Sequence, residues 1–142
     1  WVAGCEHHCP NCQNPVTWDI NGGLEFDEAA KKEIFDELEK NYVSGITFSG
    51  GDPLHTQNRK DVGALIEEIK EKFSNKTIWI YSGYDWQDVK DLPCMKYVDV
   101  MVDGEFVDGL KDNKLLWRGS TNQKVIDVQK SLEIDKVVLA VK

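Results

Sequence analysis

Short apolar runs of strand type alternate with stretches of helical period, and this alternation restricts the fold more than any other feature of the chain. Phe26, Ala30, Ile34, Leu38 and Tyr42 recur at helical spacing, with Asp27 placed to cap the first turn, which predicts a helix over 27–41. Gly45-Ile46-Thr47-Phe48 reads as a buried strand. Val62, Leu65, Ile66, Ile69 and Phe73 line one face of a second helix, where Asn58 and Asp61 resemble a capping pair. Thr77 to Tyr81 and Val98 to Val102 are further strand-type runs, separated by a helical stretch near Trp86 to Leu92. The chain opens on Trp1-Val2-Ala3, read as the end of a first strand whose start lies upstream, so an N-terminally truncated strand is expected. From about Asn113 the helix pattern weakens and irregular strands are expected.

Parallel neighbours need connections long enough to carry a helix, so the order β-α-β-α-β-α-β predicts an α/β fold with a mainly parallel sheet. With 142 residues, positions 1–142 form one domain around a single core. Ligands in such sheets bind beyond the carboxyl ends of the strands. The loops at that rim hold the unusual residues: a cysteine loop, then Ser49-Gly50-Gly51-Asp52-Pro53, Ser82-Gly83-Tyr84 and Asp103-Gly104.

The cysteine loop runs Cys5-Glu6-His7-His8-Cys9-Pro10-Asn11-Cys12. Three thiolates at C-x3-C-x2-C spacing suit three irons of a 4Fe-4S cluster and leave the fourth iron without a protein ligand. An open position suggests chemistry, as it does at catalytic zinc sites. Zinc itself is the competing reading, with His7 or His8 completing a Cys3His set, although four ligands within eight residues make a tight knot. A disulfide framework would spread its cysteines along the chain, whereas here only Cys94 lies apart, read as a small buried or half-buried thiol. Gly50-Gly51-Asp52-Pro53 is either an ordinary turn or a place where backbone approaches a ligand and Asp52 accepts from an ammonium group. Arg118 with Ser120 is either a turn or a cover for a cofactor.

A net charge of -8 and the lack of a basic stripe exclude nucleic acid as the main partner. The apolar runs fall far below the roughly 20 residues that span a bilayer, so no membrane partner is expected. Without a signal-peptide pattern, a reducing cytoplasmic location is expected.

Taken together, Cys5-x-His7-x-Cys9-x2-Cys12-x-Asn14, Thr17-Trp18, Gly45 to Leu54, Gln57-Asn58-Arg59, Ile78 to Tyr84, Tyr97 to Val100, Asp103-Gly104 and Trp117-Arg118-Gly119-Ser120 with Asn122-Gln123 carry a family resemblance. Over nearly its whole length the chain resembles the radical S-adenosylmethionine activases of anaerobic ribonucleoside-triphosphate reductase. The resemblance implies a partial (β/α) barrel and a 4Fe-4S cluster on Cys5, Cys9 and Cys12. It implies S-adenosyl-L-methionine near Gly50, Gly51, Asp52, Ser82, Asp103 and Arg118, with no catalytic side chain beyond cluster and cofactor. The implied reaction is reductive cleavage of S-adenosylmethionine, which places a radical on a glycine of the reductase large subunit, with a reduced electron donor such as flavodoxin. A related activase, or a small-molecule enzyme such as a deazaguanine synthase, is the runner-up. An iron-sulfur electron carrier or a zinc-bearing interaction module stands outside that class. The chain departs from the family at Gln13, where Tyr or Phe is expected, and at Ser82, where Thr is usual.

Overall fold

A computed structural model describes residues 1–12 and 15–141; Gln13 and Asn14 of the extended cysteine motif lie outside the described residues. Helix α1 spans Glu28–Leu38, and Asp27 caps it by accepting the Ala30 N–H at 2.8 Å. Its buried residues are Phe35 and Leu38, while Phe26 and Tyr42 stay exposed. The helix is shorter than 27–41, so both end residues of the expected stripe fall outside it, while Ile34 and Leu38 pack on the core with Phe35 beside them.

Strand β1 (Gly45–Phe48) leads to α2 (Arg59–Lys72) and then to β2 (Thr77–Tyr81). Val62, Ile66 and Ile69 are buried at the expected helical spacing. Asn58 occupies the N-cap position with helical dihedrals and makes no side-chain cap hydrogen bond. Its amide turns away, to the Ala3 and Asp52 carbonyls at 2.7 and 3.2 Å. The capping pair with Asp61 is thus replaced by a tertiary tie.

After β2 come α3 (Trp86–Val89), a 3-10 helix at Pro93–Tyr97 and β3 (Val100–Asp103). The chain then wanders through 104–123 before β4 (Lys124–Asp127), α4 (Val128–Ile134) and β5 (Leu139–Val141). The sheet has the order β1-β2-β3-β4-β5. Pairs β1·β2 and β2·β3 are parallel, whereas β3·β4 and β4·β5 are antiparallel.

The sheet is therefore mixed, and the mainly parallel arrangement expected from the alternation is corrected. The cause lies in the 104–123 connection. Its only regular piece is a 3-10 turn at Asp108–Leu110, and it returns at the same end of the sheet, pairing Asp103 with Lys124. Without a helix to carry the chain across, β4 must run backwards. Trp1-Val2-Ala3 forms no full strand among the described residues, but Val2 bridges Gly50 in the parallel sense.

Ile78 and Ile80 are fully buried, and they join one core with residues of α1, α2, α3 and α4. The alternate residues of β2, Trp79 and Tyr81, are half-buried on the other face, where Trp117 meets Trp79 edge-on with ring centroids 5.4 Å apart. Helices thus cover one face of the sheet and leave the other more open. Among the described residues no helix is long and apolar enough to cross a membrane.

Candidate metal and cofactor site

The cysteine loop begins where Gly4, with a positive φ of 107°, turns out of the Val2 bridge. Two ladders fix its start. On one side the Gly4 and Cys5 N–H groups donate to the Thr17 and Trp18 carbonyls at 2.7 and 3.1 Å. On the other, Val2 donates to Ser49 O at 2.8 Å, while Gly51 and Asp52 donate to Val2 O and Gly4 O, both at 2.7 Å. Gly50 and Gly51 make this approach possible. A Cβ on Gly50 would lie 2.5 Å from Val2 N, and one on Gly51 would lie 2.6 Å from Thr17 O.

Past Cys5 the backbone reverses through His8 and Asn11, both in the left-handed region with φ of 51° and 58°. This winding keeps Cys5, Cys9 and Cys12 in one half-buried loop, with none of them in a disulfide. Burial pushes the Cys5 and Cys9 thiols above the ordinary thiol range, Cys9 further so through the nearby Glu105 charge. Metal ligation offsets such a shift by stabilising the thiolate.

His7 sits at the centre of the loop. Its Nε2 meets Asp52 Oδ2 at 2.6 Å and its Nδ1 meets Glu105 Oε1 at 2.8 Å. Both ring nitrogens face carboxylate oxygens, so both hydrogen bonds form together only in the imidazolium. The hydrogen bond to Asp52 raises the His7 pKa, against the opposing effect of burial, and Glu105 adds to the rise. The ring meets Tyr84 edge-on at 4.7 Å, and a Cβ on Gly83 would come within 2.5 Å of it.

These contacts bear on which metal group the loop fits. Ligand atoms of Cys5, His7 and Asp52 lie within 4.8 Å of one another. Two nitrogen or oxygen ligands on one tetrahedral zinc stand about 3.3 Å apart, given bonds near 2.05 Å. The His7–Asp52 separation of 2.6 Å is instead that of a hydrogen bond. His8, for its part, packs edge-on against Trp18 at 4.6 Å. The donors left to the loop are three soft thiols, a set that fits an iron-sulfur cluster with one open iron. An open cleft of about 420 Å³ borders Cys5 and is lined in part by Trp18, Asp19, His55 and Gln57.

The other candidate residues divide. Asp52, 1% exposed, accepts from Leu54 N and Ser82 Oγ on one oxygen and from Gly83 N and His7 on the other, which brings Gly50, Gly51, Asp52 and Ser82 together beside Cys5. Asp103 lies on the same rim, but its buried carboxylate accepts the Trp86 and Lys124 N–H groups at 2.9 and 3.0 Å. Arg118 donates from Nη1 to the Gln123 carbonyl, within the turn that also ties Gly119 and Ser120 to Gln123. The sequence offers His7 only as a possible fourth zinc ligand, not as a partner of Asp52, and it does not single out Glu105. The one signal was the position of His7, midway between Cys5 and Cys9.

The family model described as a 4Fe-4S single cluster domain matches residues 1–126. The chain is 42% identical over 125 residues to the anaerobic ribonucleoside-triphosphate reductase-activating protein of Enterobacteria phage T4, an overlap of 88% of this chain and 80% of that one. This chain belongs to the reductase-activating protein family. The Escherichia coli K12 protein of the same name is 41% identical over 129 residues, covering 88% of this chain and 84% of its own length. The Haemophilus influenzae relative is 35% identical, with 87% and 82% covered. No solved structure matches the chain significantly. In this chain the cysteine loop is seated by backbone pairing with two neighbouring segments, 17–18 and 49–52.

Proposed function

We propose that the chain is an activase that generates a glycyl radical on the large subunit of anaerobic ribonucleotide reductase. One observation carries the reading: in a chain 42% identical to a named reductase-activating protein, a three-thiol loop is hydrogen-bonded directly to the Gly50-Gly51-Asp52 turn. Cys5, Cys9 and Cys12 would hold the cluster and leave one iron for the amino and carboxylate groups of S-adenosylmethionine. When bound, the pair would supply one-electron reductive cleavage of the sulfonium, the radical chemistry needed to take a hydrogen from the partner's glycine.

The protein's own part is to bind, orient and exclude water. The turn at Gly50–Asp52 and Ser82 are proposed to border the cofactor; Asp103 and Arg118 are proposed to shape the same rim through their contacts with β4 and Gln123. Helices on one face of the sheet, and Val2 pairing in parallel beside β1, support an incomplete (β/α) barrel whose open face receives a protein substrate. A reduced flavodoxin-like donor and a cytoplasmic setting complete the proposal.

The test mixes the anaerobically reconstituted, reduced chain with S-adenosylmethionine and the reductase large subunit. The expected result is a carbon-centred glycyl radical by electron paramagnetic resonance, with methionine and 5′-deoxyadenosine as products. Cofactor cleavage that never radicalises the reductase, while a small molecule is converted, would reject the activase reading.

A further inference from the structure

We propose that His7 is a positioning residue that locks the cysteine loop onto the strand-end rim, and that Asp52 acts on the metal centre by anchoring His7. The proposal rests on the reading of Cys5, Cys9 and Cys12 as cluster ligands and assigns a task to two neighbours that are not ligands.

The argument starts from the acceptor capacity of Asp52. An ionised carboxylate offers about four lone-pair sites. Leu54 N at 2.9 Å and Ser82 Oγ at 2.8 Å take Oδ1; Gly83 N at 2.9 Å and His7 Nε2 at 2.6 Å take Oδ2. With the residue 1% exposed and four donors in place, the side chain has no site left for a substrate ammonium group. Leu54, Ser82 and Gly83 belong to the loops that follow β1 and β2, so they hold the carboxylate still. Only His7 comes from the cysteine loop, and it makes the shortest of the four contacts.

The second nitrogen of His7 extends the clamp to Glu105, beyond β3, at 2.8 Å. One ring therefore touches the loops after all three of the first strands: Asp52 after β1, Gly83 and Tyr84 after β2, and Glu105 after β3. His7 lies two residues from Cys5 and two from Cys9, so a shift of the ring carries both thiols with it. Groups that orient ligands in this way are worth about 10–100-fold in metal affinity or activity. Hydrogen bonding around the thiolates is also one of the controls on cluster potential. The absence of a Cβ at Gly83 completes the arrangement, since a methyl there would strike the ring.

The experiment uses the whole chain, reconstituted anaerobically with iron and sulfide and kept free of S-adenosylmethionine. Wild type, His7→Ala, His7→Gln, Asp52→Asn, Glu105→Gln and the His7→Ala/Asp52→Asn double variant are compared. The readouts are iron release to a chelator and the electron paramagnetic resonance line shape of the reduced cluster, with thermal melting to verify folding. Both His7→Ala and Asp52→Asn should release iron about tenfold faster or more and change the line shape in the same way. The double variant should be no worse than the more affected single one. His7→Gln, which keeps a donor near Asp52, should recover part of the loss, and if His7→Ala does not fold, His7→Gln and Glu105→Gln carry the comparison. The clamp is overturned if release and line shape stay at wild-type values while Asp52→Asn alters only the change that S-adenosylmethionine induces. A wild-type chain that assembles no 4Fe-4S cluster overturns the ligand reading and the clamp together.

Discussion

Gly51 lies so close to Gly4 that a methyl group on Gly51 would stand 2.7 Å from the Gly4 carbonyl oxygen. The same carbonyl accepts the Asp52 N–H at 2.7 Å, so the cysteine loop and the turn after β1 share one hydrogen-bonded contact. Two motifs that sequence reading treats separately are one piece of backbone.

Gly51→Ala should therefore damage the cysteine loop rather than the core. The new Cβ would also meet Thr17 O at 2.6 Å, and both obstacles are backbone, which cannot rotate away. Overpacking of this kind costs about 1–3 kcal/mol. We expect a lowered melting temperature and faster loss of reconstituted iron. Gly109→Ala is the control, since nothing lies within 4 Å of its Cβ position, and it should change neither measurement.

Local pattern made much of this legible. The spacing of Val62, Ile66 and Ile69 located α2, and Asp27 did cap α1, because both depend on neighbours three or four residues away. The cysteine spacing likewise needs only eight residues to define a loop. The antiparallel half of the sheet was not legible, since it depends on where an irregular connection deposits Lys124 beside Asp103. The His7 contacts were hidden for the same reason: they join residues 45 and 98 positions apart, and such pairs leave no periodic trace. Asn58 shows the reverse failure, where a local capping pattern is real in the sequence and the side chain serves a distant partner instead.

That partner makes Asn58 a sensitive position. Its amide nitrogen donates to Ala3 O and Asp52 O, so it braces the entry to the cysteine loop from the start of α2. Asn58→Asp keeps the shape but sets a carboxylate against two carbonyl oxygens. Leaving buried acceptors unsatisfied costs about 1–3 kcal/mol, more when a charge is involved. The melting temperature should fall, and Asn58→Asp should be worse than Asn58→Ala, which removes the donor without adding a repelling charge.

Asp103→Asn should weaken the sheet at its parallel-to-antiparallel junction. The Asp103 carboxylate, 0% exposed, accepts the N–H of Trp86 at the start of α3 and that of Lys124 at the start of β4. An amide can accept both only through one oxygen and must point its NH2 group at a backbone donor. We expect a loss of about 1–3 kcal/mol in denaturant unfolding. Lys124→Met should cost less, because the lysine side chain is 44% exposed and its Nζ lies 3.4 Å from the carboxylate.

The four cysteines should separate cleanly into three and one. Cys5, Cys9 and Cys12 share the loop wound through His8 and Asn11, whereas Cys94 is buried in the 3-10 helix after α3, with its sulfur about 4.0 Å from the Cβ position of Gly63. Burial pushes the Cys94 thiol above its usual range, which keeps it protonated and inert. Anaerobic reconstitution should give a brown protein with about four irons per chain, and Ala at position 5, 9 or 12 should abolish that uptake. Cys94→Ala should retain the irons and lose only packing, about 1 kcal/mol for a small side chain. Stoichiometric zinc in place of iron after anaerobic preparation, or a cluster that survives Cys9→Ala but not Cys94→Ala, would show that the ligand set has been assigned to the wrong residues.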